Sequence, residues 1–108
     1  MDHLSNVFYA LSDPTRRAIL TRLAEGEASV SELMAPFHLS QPTISKHLKV
    51  LEGAGLIEGG RDAQRRPRRL AHDAMHDVAA WIEPFHQQWE RRFDNLEAHL
   101  AQSRRQEQ

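Results

Sequence analysis

The stretch Leu39-Ser-Gln-Pro-Thr-Ile-Ser-Lys-His-Leu-Lys-Val-Leu51 decides the reading of this 108-residue chain. Ile44, Leu48 and Leu51 fall at i, i+4 and i+7, so on a helix they share one side and pack inward. Gln41, Thr43, Ser45, Lys46 and Lys49 then point away from that side. Short hydrogen-bonding groups on a first turn, with lysines behind, suit a helix that enters a DNA major groove N-terminus first. Lys46 and Lys49 are the only lysines in the chain, and both lie here. We read the segment as a DNA-recognition helix.

The residues before it supply the rest of a helix-turn-helix. Leu4, Val7, Phe8 and Leu11 repeat at helical spacing and predict a first short helix. Ser12-Asp13-Pro14 ends it and starts another, with Asp13 as cap and Pro14 at the first helical position. The second helix runs to about Ala24, turning Ile19, Leu20 and Leu23 inward, and Gly26 terminates it. Ser29 or Ser31 caps a short third helix whose apolar side is Val30, Leu33, Met34 and Phe37. After a tight connection at His38-Leu39, Ser40 caps the fourth helix, and Pro42 is tolerated in its first turn.

Beyond Gly53 and Gly55 the period changes. Leu56-Ile57-Glu58 reads as a brief strand and Arg68-Arg69-Leu70 as its return. The tip between them is rich in arginine, so this hairpin is a wing whose Arg61, Arg65, Arg66 and Arg68 are candidates for phosphate or minor-groove contacts. From Asp73 the pattern is helical again: Val78, Ile82, Phe85, Trp89, Phe93, Leu96 and Leu100 form one apolar stripe. Pro84 interrupts it and predicts either a kink or two successive helices. The preceding elements are too few to cover so long a stripe. A second copy is the expected cover, with Phe85, Trp89, Phe93, Leu96 and Leu100 in a two-fold interface. The fold class is therefore mainly α with a small β-hairpin: a winged helix-turn-helix homodimer, one domain over residues 1–102 with a frayed polar tail at 103–108.

Composition agrees. The length suits one compact domain, and domains this small often gain buried area by dimerising. No apolar run approaches the roughly 20 residues that span a bilayer, and the N-terminus lacks a secretion signal. With no cysteine, disulfides, thiolate metal ligands and thiol redox switches are excluded. A cytoplasmic protein is the expectation. The net charge of −1 hides an asymmetry: residues 38–69 carry two Lys and five Arg against three acids, whereas both flanks are net acidic. A basic middle between acidic flanks fits a local phosphate-binding surface.

Three segments together carry a family resemblance: Ala10-Leu-Ser-Asp-Pro-Thr-Arg-Arg-Ala-Ile-Leu20, Ser40-Gln-Pro-Thr-Ile-Ser-Lys-His-Leu-Lys-Val-Leu-Glu52, and Gly55-Leu-Ile57. They resemble the ArsR/SmtB family of bacterial repressors, in order, from residue 4 to about residue 100. Ala80-Trp-Ile-Glu-Pro-Phe85 with Trp89-Glu-Arg-Arg-Phe93 is similar to a branch lacking the usual metal sites. The resemblance implies a winged-helix homodimer on a pseudo-palindromic operator, commonly in its own promoter. By position it implies base contacts from Gln41, Thr43, Ser45 and Lys46, and phosphate contacts near Ser40, His47 and Lys49. It also implies dimerisation through the first and last helices, which adds Leu4, Val7 and Phe8 to the interface. Relatives carry aromatics in the returning wing strand where Pro67-Arg68 stand here, and a proline confines a strand to an edge or shortens it.

Many members of that family release DNA on binding metal. Their thiolate site needs Cys-Val-Cys, and this chain has Ser29-Val-Ser31, whose hydroxyls are poor ligands for soft ions. Their second site, counted from Asp73, would fall on Met75, His86 and Trp89, so two of four positions match. His72, His76, His86 and Glu90 remain weak candidates for zinc. The expectation is no cofactor and no metal; a zinc-responsive repressor is the alternative. Control then rests either on concentration alone or on an unknown small-molecule or protein effector near Trp81, Phe85 and Trp89, residues that equally read as core and dimer contacts. A winged-helix module that binds an acidic protein competes less well, because Ser40-Gln-Pro-Thr43 lacks the aromatic or Met anchors of protein interfaces. No nucleophile elbow, phosphate loop or metalloprotease motif frames Ser12, Asp13 or the histidines, which argues against an enzyme.

Overall fold

A computed structural model describes residues 2–59 and 67–106. The elements run α1 (His3–Leu11), α2 (Pro14–Leu23), α3 (Val30–Met34), a 3-10 turn (Ala35–Phe37), α4 (Gln41–Gly53), β1 (Ile57–Gly59), β2 (Arg68–Leu70) and α5 (His72–Gln106). The chain divides into two units, residues 1–78 and 79–108. Among the described residues no helix is long and apolar enough to cross a membrane.

Each of the first four helices starts on a side-chain cap. Asp2 accepts the Ser5 N–H at 2.7 Å and Asp13 the Arg16 N–H at 3.0 Å. Ser29, rather than Ser31, caps α3 in a reciprocal box with Glu32. Ser40 caps α4. Such caps contribute about 0.5–2 kcal/mol each and set where the helices begin. The turn before α4 holds His38 at a φ of 54°, a left-handed conformation. α4 ends in a Schellman arrangement: Gly55, at φ 76°, donates to Glu52 O, and Leu56 donates to Leu51 O. Leu56 is thereby delivered to the core, and the first wing strand begins one residue later than the sequence predicts.

The core of the first unit joins Val7, Ile19, Leu20, Leu23, Leu33, Ile44, Leu48, Leu51, Leu56 and Ile57. The inward sets predicted for the helices thus meet in one cluster. β1 and β2 pair antiparallel, Ile57 opposite Leu70 and Gly59 opposite Arg68. Arg68 also exchanges two backbone hydrogen bonds with Ala28, at 3.1 and 2.8 Å. The returning strand is therefore paired on both sides at Arg68, and of the two outcomes expected from Pro67, an edge or a shortened strand, the three-residue β2 that starts just after it fits the second. Pro67 itself precedes the strand, so its missing N–H removes no ladder bond.

The second unit is the continuation of α5. Of the two outcomes expected at Pro84, a kinked helix or two successive ones, the helix is a single element, and it runs to Gln106, into the tail expected to fray from residue 103. Ala80 and Pro84 are both exposed. The Ala80 carbonyl, deprived of its helical donor, is open to water, which lowers the cost of the interior proline.

Candidate nucleic-acid interface

α4 sorts its residues as its spacing requires. Ile44, Leu48 and Leu51 are buried, Gln41, Lys46 and Lys49 are exposed, and Thr43 and Ser45 are half-buried. The Ser40 hydroxyl lies 2.9 Å from that of Thr43 and accepts the Thr43 backbone N–H at 3.4 Å. The first turn thus presents Gln41 outward beside a hydroxyl pair, on the helix end that carries partial positive charge. Two ammonium groups follow along the same exposed side. Such a surface can hydrogen-bond base edges at its tip and neutralise phosphates along its length.

Behind this surface lies a buried cation that the sequence reading missed. Arg16 is 8% exposed. Its Nε donates to Ala10 O at 2.7 Å and one terminal nitrogen to Tyr9 O at 3.1 Å, engaging carbonyls at the C-terminal end of α1. Its other terminal nitrogen lies 3.4 Å from His47 Nδ1 on α4, and the guanidinium carbon sits 5.3 Å from the centre of the Tyr9 ring. His47, whose side chain is 19% exposed, also has the Asp13 carboxylate 3.9 Å from Nδ1. The Arg16 backbone N–H is the main cause that holds the Asp13 carboxyl below its ordinary range, with burial opposing it. One signal was available in the sequence: Arg16, Ile19, Leu20 and Leu23 are spaced i, i+3, i+4 and i+7, so the arginine occupies an inward position.

The described part of the wing is occupied by internal pairs. Arg68 Nε donates to Glu52 Oε1 and Arg69 Nε donates to Glu58 Oε1 at 2.8 Å. Arg68, taken from the sequence as a DNA contact, is thus tied to the far end of α4, and phosphate binding there would compete with that carboxylate. Arg61, Arg65 and Arg66 lie outside the described residues.

In the second unit Phe85, Trp89, Phe93, Leu96 and Leu100 are all exposed, from 46% at Phe93 to 61% at Trp89. Trp81 packs on Phe85 with ring centres 4.9 Å apart, and Trp89 stacks on Phe93 at 5.6 Å. The interface residues expected on α1 fare differently. Leu4 and Phe8 are half-buried against the core, whereas Val7 is fully buried in it and has no surface to offer a second chain.

The family's metal sites can be compared with the donors present. The chain has no cysteine for a thiolate site, and the Ser29 hydroxyl caps α3. His72 and His76 are exposed, and His86 Nε2 lies 3.4 Å from Glu90 Oε1 as an i, i+4 pair. Among the described residues no three His, Cys, Asp or Glu side chains gather as a metal site needs.

A capped helix-turn-helix whose second helix exposes polar and basic groups, followed by a two-stranded hairpin, defines the winged helix-turn-helix class. Residues 13–58 match the family model described as bacterial regulatory protein, arsR family. The chain is 37% identical over 79 residues to the transcriptional repressor SdpR of Bacillus subtilis, a match covering 73% of this chain and 88% of that protein. The crystal structure of the ArsR family transcriptional regulator RHA00566 superposes with a TM-score of 0.72 at 39% identity, over 82% of this chain and 91% of that one. The homodimeric winged helix-turn-helix DNA-binding domain of Mb0332 from Mycobacterium bovis, solved by NMR, gives 0.65 at 28% identity over 80% of each chain. The chain belongs to the ArsR family of bacterial regulatory proteins.

Proposed function

We propose that this protein is a transcriptional repressor that binds a pseudo-palindromic operator as a homodimer, regulates its own promoter, and does so without a metal signal. The observation that carries the reading is the division of α4 into a buried apolar side and an exposed side with Gln41, Lys46 and Lys49. Gln41, Thr43, Ser45 and Lys46 read bases, while Ser40, His47 and Lys49 meet phosphates. The absence of cysteine and the capping role of Ser29 support metal independence.

The second copy sits on the exposed stripe of α5. Ile82, Phe85, Trp89, Phe93 and Leu96 step by 3, 4, 4 and 3, a spacing that is palindromic about Trp89. Two antiparallel helices with Trp89 on the two-fold axis place Ile82 opposite the partner's Leu96 and Phe85 opposite the partner's Phe93. In that register the two Val78 residues, where the first unit ends, stand about 33 Å apart along the helices at 1.5 Å per residue. A parallel pair would bring the two Val78 residues side by side.

Selection from a pool of random duplexes tests the operator. Inverted repeats about one turn apart are the expected product, and a pool that stays random would contradict the reading.

A further inference from the structure

Arg16 is a buried packing group, yet the chemistry of its contact with His47 bears on the DNA surface. A guanidinium only donates hydrogen bonds; it has no acceptor and stays charged. At 3.4 Å from the Arg16 terminal nitrogen, His47 Nδ1 can therefore complete that contact only as the bare, accepting nitrogen of a neutral ring. An imidazolium would set a second N–H against the guanidinium. The acid that could offset such a charge is Asp13, but its Oδ2 stands 3.9 Å from Nδ1, beyond hydrogen-bond reach. In a neutral ring whose Nδ1 accepts this bond, the proton is on Nε2. That atom lies on the opposite edge of the ring, the edge that the Arg16 contact leaves available to a ligand.

We propose that Arg16 is a positioning residue for DNA binding: by donating to His47 Nδ1 it fixes the Nε2–H tautomer, so that neutral His47 donates a hydrogen bond to a DNA phosphate. The inference rests on the reading of α4 as the DNA-contacting helix and deepens it. Arg16 reaches the operator through His47 rather than by touching it. Its remaining donors, on Tyr9 O and Ala10 O, tie the end of α1 into the same cluster. The ionisable groups described at this nitrogen are Arg16 and Asp13, both from the α2 end; Lys46 and Lys49 on α4 are exposed.

Two measurements test it independently. Long-range nitrogen–proton NMR of the histidine-labelled full chain, without DNA, reads the tautomer directly. The Nε2–H form is expected to dominate the neutral ring in the wild type, and its dominance should fall in Arg16→Gln and return in part in Arg16→Lys. A ring protonated at Nδ1, or an imidazolium at the pH of full DNA binding, would overturn the proposal. The second measurement uses His47 itself, so it does not depend on the buried arginine variants folding. Gln places a donor near the position of Nε2 and Asn near that of Nδ1. His47→Gln should keep most of the affinity for the selected duplex, whereas His47→Asn should lose roughly three- to tenfold, the range for one hydrogen bond. Equal losses in both variants, or none in His47→Asn, would refute the phosphate contact while leaving the tautomer to the NMR result. A wild type that binds no duplex would refute the DNA-binding reading instead.

Discussion

Arg68 on the returning wing strand donates from Nε to Glu52 Oε1 near the end of the recognition helix. The pair joins residues 16 apart in the chain and holds the base of the wing against α4. Its side chains are 20% and 38% exposed, so its direct contribution to stability is at most about 1 kcal/mol. Its consequence is mainly one of role. A guanidinium engaged by a carboxylate, with its backbone paired on both sides, is a structural tie within the wing. Arg68→Ala should lower thermal stability slightly and leave the slope of log K against log salt unchanged. A slope flattened by a full unit would restore Arg68 as a phosphate ligand.

The lysines behave in the opposite way. Lys46 and Lys49 are exposed on α4. Replacing either with alanine should weaken binding to every duplex and flatten the salt dependence by about 0.9 unit for each phosphate left without its cation. Titrations over a range of salt concentrations read this directly, and an unchanged slope would remove that lysine from the interface.

Gln41 should act on sequence rather than on salt. On the exposed tip of α4 it can bond a base edge in two places, an interaction that contributes about 1–3 kcal/mol of discrimination. Gln41→Ala should therefore relax preference at one operator position. A selected consensus identical to that of the wild type would contradict the assignment.

The α5 stripe predicts both assembly and geometry. Phe93→Glu or Leu96→Glu should give monomers in sedimentation and abolish tight operator binding, since each half-site alone is weak. An intact dimer would contradict the interface. The chain has no cysteine, so Ser103→Cys accepts a single spin label. Labels on antiparallel helices centred at Trp89 should lie roughly 42 Å apart at 1.5 Å per residue. Labels brought side by side would indicate a parallel pair.

Acid should weaken the anchoring of α2. The Asp13 carboxyl is held below its ordinary range, chiefly by the Arg16 backbone N–H. A carboxyl depressed in the folded state stabilises it above the unfolded value of about 3.9 and loses that contribution as pH falls through the folded value. Asn caps helices nearly as well as Asp but does not titrate in this way. Urea unfolding of Asp13→Asn should therefore fall less steeply below that unfolded value than the wild type. Parallel curves for the two proteins would show that Asp13 contributes no acid sensitivity.

What the sequence made legible follows from the reach of its signals. Caps, turns and helical periods act over a few residues, and from them came the four short helices, their inward faces and the outward set on α4. Arg16 was passed over because a charged residue at an inward position reads as solvated until its acceptors, Tyr9 O and Ala10 O, are seen to be supplied by another helix. The Ala28–Arg68 bridge left no pattern, since a single paired residue has no period. Pro84 left two outcomes open in the sequence, a kinked helix or two successive ones, because a proline's penalty is local while the continuity of α5 depends on the turns that hold on both sides of it. At Arg68 the charge was legible in the sequence, whereas its carboxylate partner on α4 was not.

The most direct test of the central claim is fluorescence anisotropy on duplex DNA from upstream of the gene, against a scrambled duplex, with and without zinc. Tight binding to the upstream duplex, weak binding to the scrambled one, and no change on adding zinc are expected. Equal weak binding to both would contradict autoregulation through this promoter, and release by zinc would contradict metal independence.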